Sequence, residues 1–174
     1  WKAVFTEQVP IPSEGPSREQ LAQASGLTEI DLRGRNDIRS LEPLQLLPNL
    51  QYLYCSGLPI TTVAPLRDLI ELRLLDANDT EVSDLTPLQY LGQLEELRLS
   101  GSPVRDLAPL SGLGRLQRLY CELTAVGDLM PLSQLEDLRW VYCDGSQVTA
   151  ENVRHLLALR PAVCVVFETE HLQQ

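Results

Sequence analysis

Leucine returns in this chain every 22 residues, at Leu50, Leu72, Leu94, Leu116 and Leu138. Proline keeps the same interval, at Pro43, Pro65, Pro87, Pro109 and Pro131. Each proline is followed by a leucine (Leu44, Leu66, Leu88, Leu110, Leu132), and each of these by another three residues on (Leu47, Leu69, Leu91, Leu113, Leu135). An earlier unit opens at Leu27 and runs for 23 residues, with the additional residue near Asn36. Several ladders locked to one period mark a repeat architecture, in which each unit is one coil stacked on its neighbours.

One unit shows how the coil is made. In Leu94-Glu95-Glu96-Leu97-Arg98-Leu99 the residues alternate as in a short strand, with Leu97 and Leu99 inward and Glu96 and Arg98 outward. Val104 is a second inward anchor, and Asp106-Leu107-Ala108-Pro109-Leu110 turns the chain. Proline lacks an N–H and has a fixed φ, which suits the first position of a helical turn. Leucines three apart then line one side of a short 3₁₀ or helical turn. The ladder and the x-Pro-Leu-x-x-Leu half resemble the leucine-rich-repeat superfamily, in its 22-residue short class of internalin and phosphatase-regulator type. The resemblance covers residues 27–148. It implies an α/β fold, a right-handed leucine-rich-repeat solenoid with a parallel concave sheet, short turns on the convex side and helical caps. It also implies protein binding, since such repeats usually bind proteins. The family's ninth repeat position is usually asparagine. Here it holds Arg35, Leu58, Thr80, Ser102, Thr124 and Ser146, of which Leu58 cannot bond the turn backbone.

About six repeats leave two ends to be capped, giving one domain with an N-terminal cap at 1–26, repeats at 27–148 and a helix–strand cap and tail at 149–174. Ser13, Gly15 and Pro16 mark a loop, and Ser17-Arg18-Glu19-Gln20 reads as a capping box opening a short helix with Leu21 and Ala22 on its apolar side. Trp1 and Phe5 are candidate plugs over the first coil. Thr149 is placed to cap a helix running to about Leu159, with Val153, Leu156 and Leu157 inward, and Pro161 ends it. Ala162 to Phe167 reads as a final strand, and His171 to Gln174 as a tail. The chain starts at Trp1, which suggests a piece of a longer or processed protein.

The net charge of −10 opposes binding to phosphate backbones, so nucleic acid is not an expected partner. A basic protein surface is the easier electrostatic match, although acidity of this size also serves solubility alone. No apolar run approaches a bilayer span, so no membrane partner is expected. Cys55, Cys121 and Cys143 fall at the inward sixth repeat position, where Leu32, Ala77 and Leu99 stand elsewhere. Buried thiols there fit a reducing, cytoplasmic setting. A bridge between Cys121 and Cys143 is within reach, but parallel side-chain vectors make its torsion poor. None of the four cysteines forms a C-x-x-C pair, which leaves a metal site without support, and no cofactor is implied. Asn78-Asp79-Thr80 matches a glycosylation sequon by letter.

Catalytic groups are sparse. Glu151 and His155 are four apart and form a surface pair more readily than a dyad. Asp84, Asp106 and Asp128 recur with the repeat ahead of each proline, where aspartate bonds local backbone N–H groups. With no phosphate loop, metalloprotease motif or nucleophile elbow, an enzyme is not expected and no catalytic residue is assigned.

The repeat register instead gives the concave surface. Its third position carries Glu29, Tyr52, Leu74, Glu96, Arg118 and Trp140; its fifth, Asp31, Tyr54, Asp76, Arg98, Tyr120 and Tyr142; its seventh, Arg33, Ser56, Asn78, Ser100, Glu122 and Asp144. Four of the five tyrosines and one of the two tryptophans lie there. Tyr, Trp and Arg are the side chains most enriched at binding hot spots. Tyr52, Tyr54, Asp76, Glu96, Arg98, Arg118, Tyr120, Trp140 and Tyr142 are therefore the candidate partner-binding residues, in two aromatic clusters. Against this stands packing: tyrosine favours strands, and neighbouring Tyr and Arg stabilise each other across a sheet. A different role, as a regulatory or scaffolding segment acting within a larger signalling protein, fits the same surface.

Overall fold

The computed structural model describes residues 26–167. Within them the 22-residue period becomes a ladder of three-residue strands: β1 (Glu29–Asp31), β2 (Tyr52–Tyr54), β3 (Leu74–Asp76), β4 (Glu96–Arg98), β5 (Arg118–Tyr120), β6 (Trp140–Tyr142) and β7 (Cys164–Val166). They form one parallel sheet in chain order. The pairing keeps the repeat register without a slip, so that Tyr54 lies beside Asp76, Asp76 beside Arg98, Arg98 beside Tyr120 and Tyr120 beside Tyr142. A one-residue slip would turn every central leucine outward, and the core forbids it. Ile30, Leu53, Leu75, Leu97, Leu119 and Val141, the middle residues of β1 to β6, are all 0% exposed.

Opposite the sheet run 3₁₀ turns at Glu42–Leu46, Ala64–Leu66, Thr86–Leu88, Ala108–Leu110 and Met130–Gln134, each with its proline in the first two positions. The leucine after each proline is fully buried. The turn is held from two residues upstream of its start. Oδ1 of Asp84, Asp106 and Asp128 accepts the amides of Thr86, Ala108 and Met130, each at 2.8 Å. Thr62 and Ser40 do the same for Ala64 and Glu42, at 3.1 and 3.2 Å. The recurrent aspartates are thus turn anchors, and hydroxyls replace them in the first two coils.

The hydrogen bonds of the Thr86 side chain and amide hold the Asp84 carboxyl below its ordinary pKa. A depressed folded-state pKa adds stability that is complete above the unfolded value, about 3.9, and is lost as pH falls through the folded one. Asp84→Asn is therefore expected to lower the thermal midpoint at pH 7 and to converge with the parent chain once pH has fallen below the folded-state value, as followed by circular dichroism. A gap that stays constant throughout the acid titration would show that the charge contributes nothing.

The ninth position works without asparagine. Thr80, Thr124 and Ser146 donate to the carbonyls of Ala77, Cys121 and Cys143 at 2.9, 2.7 and 2.6 Å. Ser102 reaches back to the Ala77 carbonyl of the previous coil at 3.0 Å. Leu58 makes no such bond and joins the core, 1% exposed. Just before it in each coil, the chain leaves the strand through a left-handed residue: Gly34, Gly57, Asp79, Gly101, Leu123 and Gly145, with φ between 53° and 75°.

The C-terminal cap is helix α1 (Ala150–Leu159), opened by a reciprocal capping box between Thr149 and Asn152. Leu156 is buried, Val153 and Leu157 pack against the core, and β7 closes the sheet. Ser17–Gln20, Leu21, Ala22, Trp1, Phe5 and His171–Gln174 lie outside the described residues. No helix among those described is long and apolar enough to cross a membrane. Asn78 spends its side-chain carbonyl on the Ser100 amide at 2.8 Å, and Thr80 is buried, which ties the sequon letters into the coil.

Cys55, Cys121 and Cys143 are buried free thiols in the core, and Cys164 is an exposed one on β7. Burial pushes the Cys55 and Cys121 thiols far up and Cys143 up to about 12. Thiolate is the reactive form. One thiol per chain is therefore expected to react rapidly with an aromatic disulfide reagent in the native state, and four after denaturation. Fast labelling of a second would mean that the coils open at the sixth position.

Candidate functional site

The parallel register brings the nine candidate residues onto one face, and side-chain contacts join several of them across it. At the start, Arg33 grips Asp31 through Nε and Nη2, at 3.0 and 2.6 Å, and its guanidinium lies 4.9 Å over the Tyr54 ring. Ser56 donates to Asp76. In the middle, Arg98 pairs with Glu96 at 2.5 Å and lies 3.9 Å from Asp76, while Arg118 takes the second oxygen of Glu96 at 2.6 Å. Burial alone would lower the pKa of Arg98; its hydrogen bond and charge pairing with Glu96, and the charge of Asp76, more than reverse this.

Asp76 and Glu96 are only 3% and 4% exposed, although both point to the concave side. They lie beneath the arginines, so a body resting on this face meets guanidinium planes rather than these carboxylates. Beyond them Arg98 sits 5.4 Å over the Tyr120 ring, and Tyr120 stacks on Tyr142 with centroids 4.5 Å apart and planes 1° from parallel. Trp140 lies beside Tyr142 at 6.3 Å and is 42% exposed. The Tyr–Arg stacking that packing alone would produce is therefore present, and it orders the rings into a platform. Tyr52 and Tyr54 remain partly exposed at the other end.

The third, fifth and seventh positions from β1 to β6 hold six carboxylates, two of them covered, against three guanidiniums. Glu122 accepts a hydrogen bond from Ser100, a neutral donor. One neighbouring residue, Leu123, was not singled out by the alternation argument. It is 73% exposed, directly after Glu122, with φ 56°. The signal was available in its column, where four of the six equivalent positions are glycine.

Other chemistry is thin. Among the described residues no group of three or more His, Cys, Asp or Glu is placed to hold a metal ion. His155 and Glu151 form an exposed pair, 3.8 Å apart, on α1.

No protein-family model matches the chain, and no curated protein sequence matches it. Solved structures do. An internalin C2 from Listeria monocytogenes superposes with a TM-score of 0.78 at 25% identity, over 87% of this chain and 66% of its own. A second internalin from that organism gives 0.78 at 24% identity, over 95% of this chain and 53% of its own. A leucine-rich-repeat protein of Leptospira interrogans gives 0.75 at 22%, over 85% and 39%. The chain thus spans between 39% and 66% of the length of these structures. By its 22-residue ladder and by its structural neighbours, the chain folds as a leucine-rich-repeat solenoid.

Proposed function

We propose that the chain is a non-catalytic recognition module that holds a protein partner on its concave face. The observation that carries this is the pre-ordered stack of Arg98, Tyr120 and Tyr142 with Trp140 standing exposed at its edge. Rigid aromatic surface binds with little loss of side-chain entropy, and supported rings are already in their bound geometry. Asp76 and Glu96 act in this reading as the footing that fixes Arg98 and Arg118, while Tyr52, Tyr54 and the C-terminal rings make contact. The acidic balance of the face favours a basic partner. The turn aspartates are committed to backbone amides and three of the four thiols to the core, which leaves little to do chemistry. Three free buried thiols also suit a reducing, cytoplasmic setting.

The test is affinity capture from the native source with the parent chain and with a variant carrying Tyr54→Ala, Tyr120→Ala, Trp140→Ala and Tyr142→Ala. Both must first unfold at comparable temperatures. A partner retained by the parent and lost by the variant, then confirmed with purified protein, supports the concave face. Equal retention moves the site to the convex side or the caps. Capture of a segment of its own parent protein would instead establish the intramolecular regulatory role.

A further inference from the structure

We infer that Leu123 is the apolar anchor for a basic, extended protein segment that lies along β5 and β6 and sets a lysine or arginine on the Tyr120–Tyr142 stack. This rests on the concave-face reading and adds to it a residue beyond the sheet and the chemistry of what is bound.

The first observation is conformational. Leu123 holds φ at 56° with 73% of its surface exposed. A left-handed leucine sets its Cβ against the following carbonyl, and a largely exposed apolar side chain returns little burial in exchange. The turn does not need it, because Gly34, Gly57, Gly101 and Gly145 make the same turn in other coils. It also restricts its neighbour: a Cβ on Gly145 would stand 2.6 Å from Leu123 Cδ2. Backbone strain kept where the fold gains nothing from it points to a binding role.

The second observation is position. Leu123 is three residues past Tyr120 and lies against Gly145, which is three residues past Tyr142. Three residues of extended chain span about 10 Å, so one segment meets both the rings and the leucine.

The third is charge. The guanidiniums of the face are held by its own carboxylates, Arg33 by Asp31 and both Arg98 and Arg118 by Glu96. Glu122, which accepts from the Ser100 hydroxyl and not from a guanidinium, stands two residues past Tyr120 on the same face. The protein already places cations on its own tyrosines, Arg98 on Tyr120 and Arg33 on Tyr54. Arg98 and Tyr142 take the two faces of Tyr120, so a partner's basic side chain would use the same attraction at the outer face of Tyr142, with Glu122 adding to it.

The experiment pans a phage-displayed library of linear dodecapeptides on the full 174-residue chain. The strongest binders are then measured as synthetic peptides on the parent, Leu123→Gly and Tyr142→Ala. The expected result is enrichment of a Lys or Arg about three positions from a Leu, Ile or Phe, with at least roughly ten-fold weaker binding on either variant. Leu123→Gly should meanwhile unfold at the parent's temperature or above it, which separates lost contact from lost fold. Peptides without a basic residue would overturn the proposal, as would binding indifferent to Leu123→Gly. No enrichment over a chain carrying Tyr120→Ala, Leu123→Gly and Tyr142→Ala would do the same. Weakening by Tyr142→Ala alone would remove Leu123 from the site and leave the concave-face reading standing. That reading fails separately, in the capture experiment, if the four-alanine variant holds the native partner.

Discussion

Arg98→Ala is expected to lower folding stability by about 3 kcal/mol, whereas Arg33→Ala should cost far less. Both arginines hold a carboxylate and both lie over a tyrosine, but their surroundings differ. Arg33 and Asp31 are about half exposed, so water replaces whatever either loses. The side chains of Asp76 and Glu96 are 4% and 6% exposed, and the Arg98 guanidinium covers both. Its removal leaves two adjacent acids without their shared cation, and the water that enters the vacated space compensates them only in part, so the cost is that of a broken, partly buried pair. Arg118 still bonds Glu96 and Ser56 still bonds Asp76, which places the expected loss at the low end of the range for broken buried pairs. Urea unfolding of the two variants reads this directly. Asp76→Asn should recover part of the loss in the Arg98→Ala background while destabilising the parent, because its benefit is the charge it removes. Equal midpoints for Arg98→Ala and Arg33→Ala would mean that the carboxylates are hydrated and that the network is ornament to the fold. The same variant bears on function: Arg98 backs the Tyr120 ring, so its loss should loosen the stack on which recognition depends.

The period in the sequence and the ladder in space are one quantity, which is why so much of this structure was readable beforehand. Residues 22 apart must become neighbours once each coil closes, so Tyr120 beside Tyr142 and Glu96 beside Arg118 follow from counting. The inward leucines, the turn aspartates and the Thr149 cap were legible for the same reason, since each obeys a local rule with a fixed offset. Depth was not legible. Alternation places Asp76 and Glu96 on the concave side, but only the path of long arginine side chains decides that they are covered. The fate of Leu58 was also open, because a position that asparagine usually fills can be solved either by a hydroxyl bond or by turning a leucine into the core. Leu123 was visible in principle, as a leucine in a column of glycines, yet it asks a question about φ that hydrophobic periodicity never poses.

Leu97→Ala is expected to cost about 3–4 kcal/mol and to reduce the steepness of the urea transition, while Leu156→Ala in the cap should cost less and leave it steep. Both side chains are 0% exposed, so the transfer of apolar surface is similar. The difference lies in what each holds together. Leu97 is the centre of β4, paired on one side with Leu75 and on the other with Leu119, and a cavity there weakens two coil interfaces at once. In a stack where each coil touches only its neighbours, stability is a sum of coils and interfaces, and cooperativity depends on the weakest interface between strong ones. A void at β4 divides the array into β1–β3 and β5–β7, each with its own packed leucines, which can then melt at different urea concentrations and flatten the overall slope. Leu156 sits at one end, so its loss frays the last coil without dividing the rest. A steep single transition for Leu97→Ala, merely shifted, would show that the array folds as one unit despite its modular construction. A flattened transition would place the divide beneath Glu96 and Arg98, and the Arg33–Tyr54 end of the concave face would then come apart from the Tyr120–Tyr142 end at intermediate urea.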